Sequence, residues 1–367
     1  MNNQNLHELI ERYEQNFEFV NNSEHDEIFK WRAVKLFRDS WFAADASQKS
    51  FAEMFNDARR GSAYIIDNSQ VSPTNGIVKM AEVEPVEVPK LFYDVLFADD
   101  GGDIVMRQNN MEKFLEEIEK IRLKHFPQCW KYKQDRHAVS CYMVFFAPEQ
   151  NYIYRYSDAE TFAQYIEFGI DIGSGENFKL DAYYQMCDLI VEALKEHPTL
   201  LEKHFTFLSD ECYRDESLHL LAFDLMYCAR CYNFYNGLTH ASKKESVKAY
   251  TEAQLREKER LAKEEKINSL AAEIHELRLK AETYADISLL NVQVTQRMYG
   301  TGTIIAQDKN KVTVRFGDVE KVFVINKKFM ARPTFEDDQE IVDAFTEYDD
   351  IMVKISMLES ELKRAMA

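Results

Sequence analysis

The stretch VQVTQRMYGTGTIIAQDKNKVTVRFGDVEKVFVI, Val292–Ile325, decides how the rest of the chain is read. Val, Ile, Thr and Phe dominate it, and Gly300–Thr301–Gly302, Asp308–Lys309–Asn310 and Gly317–Asp318 interrupt it. Branched and aromatic side chains suit a pleated surface, and Gly, Asn and Asp tolerate tight-turn backbones. Four strands are therefore expected: Val292–Gln296, Gly302–Gln307, Lys311–Phe316 and Lys321–Ile325. So few short strands barely cover their own core. The expectation is a small β-barrel over 291–333, packed on neighbouring helices.

The flanks of this segment differ from it in composition. From Ser242 to about Ala285 the chain is rich in Ala, Glu, Lys, Leu and Arg and lacks Gly and Pro. Within it Ile267, Leu270, Ile274, Leu277, Ala281 and Tyr284 alternate spacings of three and four, the mark of a coiled-coil seam. The seam lapses before Ile267, where Arg260 and Lys263 fall on core positions. A second seam is read at Ile341, Phe345, Tyr348, Met352, Ile355 and Leu362, with Glu359 as a polar interruption. An antiparallel pairing of the two helices, with the barrel at their tip, satisfies both seams. A homodimeric coiled coil is the competing arrangement.

Upstream, residues 1–237 read as a mostly helical body. Apolar residues recur at helical spacing through Leu6–Arg59, Val86–Phe97, Met111–His125, Ala159–Phe168, Leu180–Glu196, Pro198–Phe207 and Ser217–Tyr235. The Asp67–Ser72–Pro73–Asn75–Gly76 cluster reads as a loop, and 135–146 as an apolar run. Tyr152, Tyr154 and Tyr156 alternate at period two, so Asn151–Tyr156 is expected to be a short strand. The fold class is mainly α (α+β), and 11 Gly and 7 Pro in 367 residues fit it. The parts are the body (1–237), a long helix (242–290), the barrel (291–333) and a C-terminal helix (336–366).

Charge narrows the partners. The net charge of −18 disfavours an unspecific polyanion coat. Residues 292–333 run the other way, with Arg297, Lys309, Lys311, Arg315, Lys321, Lys327, Lys328 and Arg332 against Asp308, Asp318 and Glu320. No apolar run approaches the ~18–20 residues that span a bilayer. The polar start is unlike a signal peptide, and the six cysteines sit mostly in apolar segments. A cytoplasmic protein with reduced thiols and no membrane association is expected.

Catalytic patterns are missing from the sequence. It has no GxxxxGK[ST], GxGxxG or HExxH motif. Its [DE]xK triplets, Glu264–Glu265–Lys266 and Glu361–Leu362–Lys363, lie in the long helices rather than on a strand. Cys228 and Cys231, with Cys212 and His219, could suggest zinc, but the pair reads as core: two small residues on adjacent turns of a buried helix, with no glycine-rich knuckle and no second CxxC. Asp99, Asp100 and Asp103 read as a solvated turn, and His137, His204 and His219 as structural. No catalytic residue, metal or cofactor is assigned. The binding candidates are Arg297, Tyr299, Lys309, Lys311, Arg315, Lys321, Lys327 and Lys328, a basic set beside an aromatic that suits DNA, RNA or an acidic protein. In the body, Tyr152, Tyr154, Arg155 and Tyr156 are the candidates, for stacking a base or for covering a sheet.

Two stretches carry resemblances. Val294, Tyr299–Gly300–Thr301–Gly302–Thr303–Ile304 and Val312–Thr313–Val314–Arg315–Phe316 resemble the Tudor-like C-terminal module of UvrD-type helicases, over about 292–330. That resemblance implies contact with nucleic acid or RNA polymerase. Gln296–Arg297 stands where the module usually has His or Lys. The body, about 1–235, resembles the region preceding the AAA+ motor in McrB-like restriction proteins. It does so through Lys30–Trp31, Trp41, Glu84–Pro85, Leu91–Phe92, Arg136–His137–Ala138–Val139–Ser140, Tyr152–Ile153–Tyr154–Arg155–Tyr156, His219–Leu220–Leu221, Asp224 and Tyr227–Cys228. With a coiled coil and barrel in place of a motor, this implies an adaptor or target-recognition role in restriction or phage defence, alongside a separate ATPase or nuclease subunit. The expected function is a non-catalytic interaction protein. Its rivals are a metal-dependent nuclease with a divergent site near Asp99 and Asp103, and a structural coiled-coil dimeriser.

Overall fold

The computed structural model describes residues 1–42, 49–62, 65–67, 69–284, 288–308, 311–325, 329 and 339–366. The chain divides into two compact units, Met1–Glu252 and Ala253–Ala367.

The first unit is helical. Its longer elements are α1 (Asn3–Gln15), α2 (Phe17–Val20), α3 (Phe29–Phe42), α4 (Phe51–Ala58), α5 (Pro73–Val83), α6 (Glu87–Lys90), α7 (Ile104–His125), α8 (Arg136–Phe146), α9 (Tyr156–Tyr165), α10 (Leu180–Lys195), α11 (Pro198–Phe207) and α12 (His219–Cys231). α13 (Lys243–Glu282) follows. One hydrophobic cluster runs from Leu6 to Tyr235, with Tyr13, Trp31, Phe37, Phe55, Phe92 and Tyr142 among its fully buried members. Two helix starts differ from expectation. Ser72 and Pro73 begin α5 rather than a loop: Ser72 Oγ accepts from Asn75 N–H, and Pro73 fills the first turn, where its missing N–H costs nothing. Gly76 lies inside that helix because a Cβ there would stand 2.7–2.9 Å from Tyr132. α7 begins at Ile104, since Asp103 caps the N–H groups of Val105 and Met106.

The expected strand at 151–156 is not one. Residues 151–155 are extended but have no partner strand; the only sheet among the described residues lies in the second unit. Side chains replace the ladder. Tyr152 N–H donates to the Tyr184 hydroxyl (3.4 Å) and Tyr154 N–H to Ser140 Oγ (2.9 Å). The Ile153 carbonyl accepts from the Tyr183 hydroxyl (2.6 Å), and the Asn151 carbonyl lies 3.2 Å from His219 Nδ1. A buried extended backbone must satisfy its polar groups somewhere, and surrounding helices supply the partners.

The second unit holds β1 (Gln293–Gln296), β2 (Gly300–Asp308), β3 (Lys311–Phe316), β4 (Val319–Val324) and α14 (Gln339–Met366). The strands form one antiparallel sheet in the order β1-β2-β3-β4, with an irregularity between Ile304 and Ala306. Among the described residues the sheet is open: β1 and β4 do not pair, so the expected closure into a barrel is not seen. Residues that precede β1 or follow β4 cover the inner face instead. Val294, Ile304, Val312, Val314 and Phe316 pack with Leu289, Val292, Phe329 and Phe345. The turn motif has a steric basis, since Gly300 adopts φ +74° and a Cβ on Gly302 would lie 2.5 Å from the Phe316 ring.

α13 and α14 pair antiparallel within the chain. Ile274, Ala281, Ile351 and Ile355 are buried between them, with Leu277, Tyr284, Tyr348, Leu358 and Leu362 alongside. Ion pairs Lys266–Glu361 (2.8 Å), Lys354–Glu273 (2.7 Å) and Lys280–Glu347 (2.6 Å) step by one heptad along each helix, in opposite directions. Arg278–Glu359 joins the helices on the other diagonal. The α14 seam differs from expectation by one position at two places. Ile351 is buried and Met352 exposed, and Leu358 rather than Glu359 packs on the seam.

Candidate binding surface on the sheet

Tyr299 sits in the β1–β2 turn after Arg297 and Met298, and its N–H closes the turn on the Gln296 carbonyl (3.2 Å). Its ring is 41 % exposed. It lies 5.5 Å from the Phe316 ring, and an aromatic row continues through Phe323 and Phe329. Lys321 Nζ stands 5.5 Å from the Tyr299 centroid, within cation–π range. Lys321 pairs with Val314 in register and therefore shares the inner-face side of edge strand β4.

The other predicted cations do not join it. Lys311 and Arg315 alternate with Val312 and Val314 and so lie on the outer face. Arg315 is matched by Glu320, its register partner, at 2.8 Å. Arg297 is exposed in the turn. Lys309, Lys327 and Lys328 lie outside the described residues. The surface thus offers one cation–aromatic pair at a sheet corner and a separate outer-face group.

The four body candidates separate as well. Tyr152 and Tyr154 are 3 % and 4 % exposed, and the Tyr152 hydroxyl donates to Asp188 (2.7 Å). Neither ring is open to stack a base, because both pack into the helical core. Tyr156 opens α9 and is 49 % exposed, and Arg155 beside it is half-buried and faces Asp158.

Carboxylates singled out at 99–103 are bound locally. Asp99 accepts from Gly101 N–H (2.9 Å), and Asp100 pairs with Arg107 (2.6 Å), which holds its carboxyl below the usual range. Asp103 caps α7. The suggested zinc residues do not converge. Cys228 is buried beside Asp224, Cys231 is exposed, His219 Nδ1 lies 3.0 Å from the Pro148 carbonyl, and Cys212 faces Ser209. Among the described residues one metal-like trio occurs, Glu27, Asp224 and Cys228. A cation already fills it: Lys30 Nζ lies 2.6 Å from Asp224 and is also paired with Glu27. Burial opposes the Lys30 charge and pushes the Cys228 thiol up, while Asp224 leads the groups that hold Lys30 above the ordinary lysine range. This network escaped the sequence reading; the signal it offered was a lysine three residues after Glu27, next to a core tryptophan.

Comparison with protein-family models, curated proteins and solved structures finds no match for this chain. Among the described residues no helix is long and apolar enough to cross a membrane.

Proposed function

We propose that the chain is a non-catalytic interaction protein, in which a helix hairpin presents the sheet to nucleic acid or to an acidic protein surface. The observation that carries this reading is the half-exposed Tyr299 with Lys321 over its ring, inside the one segment of basic excess. An exposed ring stacks on a base or an apolar patch, and the adjacent ammonium takes a phosphate or carboxylate. The reading treats the sheet as a Tudor-like module and the body as a target-recognition part. It links the protein to RNA polymerase, restriction or phage defence, with a separate ATPase or nuclease subunit; these links rest on the resemblances of 292–330 and 1–235.

The test is fluorescence anisotropy of the full chain with labelled single-stranded DNA and RNA across a salt series. Wild type is expected to bind at low salt and to weaken steeply as salt rises. Tyr299→Ala combined with Lys321→Ala is expected to weaken binding about tenfold or more, the scale of losing one stacked base and one cation. Absence of binding at low salt, or equal binding by the double variant, overturns the nucleic-acid reading.

A further inference from the structure

Two histidines from distant parts of the chain face each other on the helical unit, 190 positions apart in sequence. His7 lies on α1, and His197 is the N-cap residue of α11, in the turn after α10. His7 Nδ1 stands 3.0 Å from His197 Nε2, and both residues are half-buried, so solvent reaches the pair. We propose that this pair is the nucleus of a binding site for a divalent transition-metal ion of the zinc class, a role separate from the sheet surface. The backbone fixes the placement on both sides. Leu6, Leu9 and Ile10 bury α1 in the core. The His197 N–H donates to the Leu194 carbonyl, and its own carbonyl accepts from Leu201 N–H.

An imidazole nitrogen carries either an N–H or a lone pair, so the two facing nitrogens share one hydrogen. Glu196 sets which ring supplies the lone pair. Its Oε2 lies 3.6 Å from His7 Nε2, the nitrogen turned away from His197. A carboxylate there favours the proton on Nε2 and leaves the Nδ1 lone pair aimed at His197. The same arrangement, a carboxylate behind a ligating imidazole, orients histidines that hold zinc. Zinc–nitrogen bonds of about 2.0–2.1 Å put two nitrogens about 3.4 Å apart in a tetrahedral site. Exchanging the shared hydrogen for the metal therefore parts the rings by about 0.4 Å from their 3.0 Å contact and tilts them, a small motion for half-buried side chains.

A third ligand stands one helical turn away. Glu11 follows His7 at the i+4 position and so shares its face of α1. It is exposed and has no hydrogen bond or ion pair among the described residues. Its neighbours Glu8 and Glu14 are held by Arg12 and Lys203. Two imidazoles and one carboxylate, with water in the fourth position, form a zinc ligand set. Magnesium and calcium take oxygen ligands and match imidazole poorly. A metal held here ties α1 to the turn between α10 and α11.

Isothermal titration of the full chain with zinc chloride and with magnesium chloride tests this. Zinc is expected to bind saturably and magnesium not at all. His7→Ala and His197→Ala are each expected to weaken zinc more than about tenfold, and Glu196→Gln about tenfold, the scale of losing a carboxylate behind a ligand. Cys231→Ser, at the exposed cysteine, is expected to leave zinc binding unchanged, as is Tyr299→Ala with Lys321→Ala. Zinc at a hundredfold excess over Kd is expected to raise the melting temperature of wild type by about 5 °C and to leave that of His7→Ala in place. That readout separates lost coordination from lost folding. No saturable zinc binding overturns the proposal. So does affinity within about twofold of wild type in both His7→Ala and His197→Ala.

Discussion

Lys30 is 1 % exposed, and its charge persists there because two carboxylates and two aromatic faces surround it. Asp224 is the hinge of this arrangement. It takes Lys30 on one oxygen and the Tyr13 hydroxyl on the other (2.5 Å), while Tyr232 donates to Glu27. Asp224→Ala strands a buried ammonium and a buried phenol together. The expected loss is about 3–5 kcal/mol of unfolding free energy, read from urea denaturation, because breaking one side of a buried pair leaves the other uncompensated. At this scale the sequence was only partly legible. Lys30, His137, Ser140, His219 and Asp224 stand out there as motif residues. Their shared work, satisfying buried charge and buried backbone, depends on partners up to 211 positions away and so leaves no local pattern.

Among the elements, the hairpin was the most legible, because a seam of threes and fours is itself a periodic signal. It went astray where two adjacent apolar residues, Ile351 and Met352, compete for one position. The branched Ile351 takes the buried place and the flexible Met352 faces solvent. Ile351→Ala is therefore expected to cost about 2–4 kcal/mol, whereas Met352→Ala stays within about 0.5 kcal/mol. Chemical denaturation of the two variants distinguishes the registers, and the reverse ranking would restore Met352 to the seam. The Tyr152–Tyr156 segment misled for the opposite reason. Alternating tyrosines suggest one covered face, whereas Asn151 through Tyr154 are all buried among helices and Tyr156 is exposed. The open sheet has a similar origin: strand content and turns are local, whereas closure is a property of edges.

On the scale of the whole molecule, the two compact units own separate apolar clusters. They are expected to unfold in two calorimetric transitions, since each core loses its contacts independently. Asp224→Ala should lower one transition and Ile351→Ala the other. A single transition displaced by both variants would show that they fold as one. Sequence reading ended the body near 237, whereas the division falls inside α13 at Glu252–Ala253. The change of composition marks where the helix begins, not where packing changes hands.

The heptad step of the Lys266–Glu361, Glu273–Lys354 and Lys280–Glu347 pairs makes the hairpin a stalk with a unit of length. Seven residues inserted into both helices at one level keep every rung and every seam residue in phase. The sheet then moves along the stalk by about 10 Å, at about 1.5 Å per residue. An insertion that is not a multiple of seven, or one made in a single helix, sets apolar residues against charged ones. Reach in this protein is therefore adjustable only in whole steps.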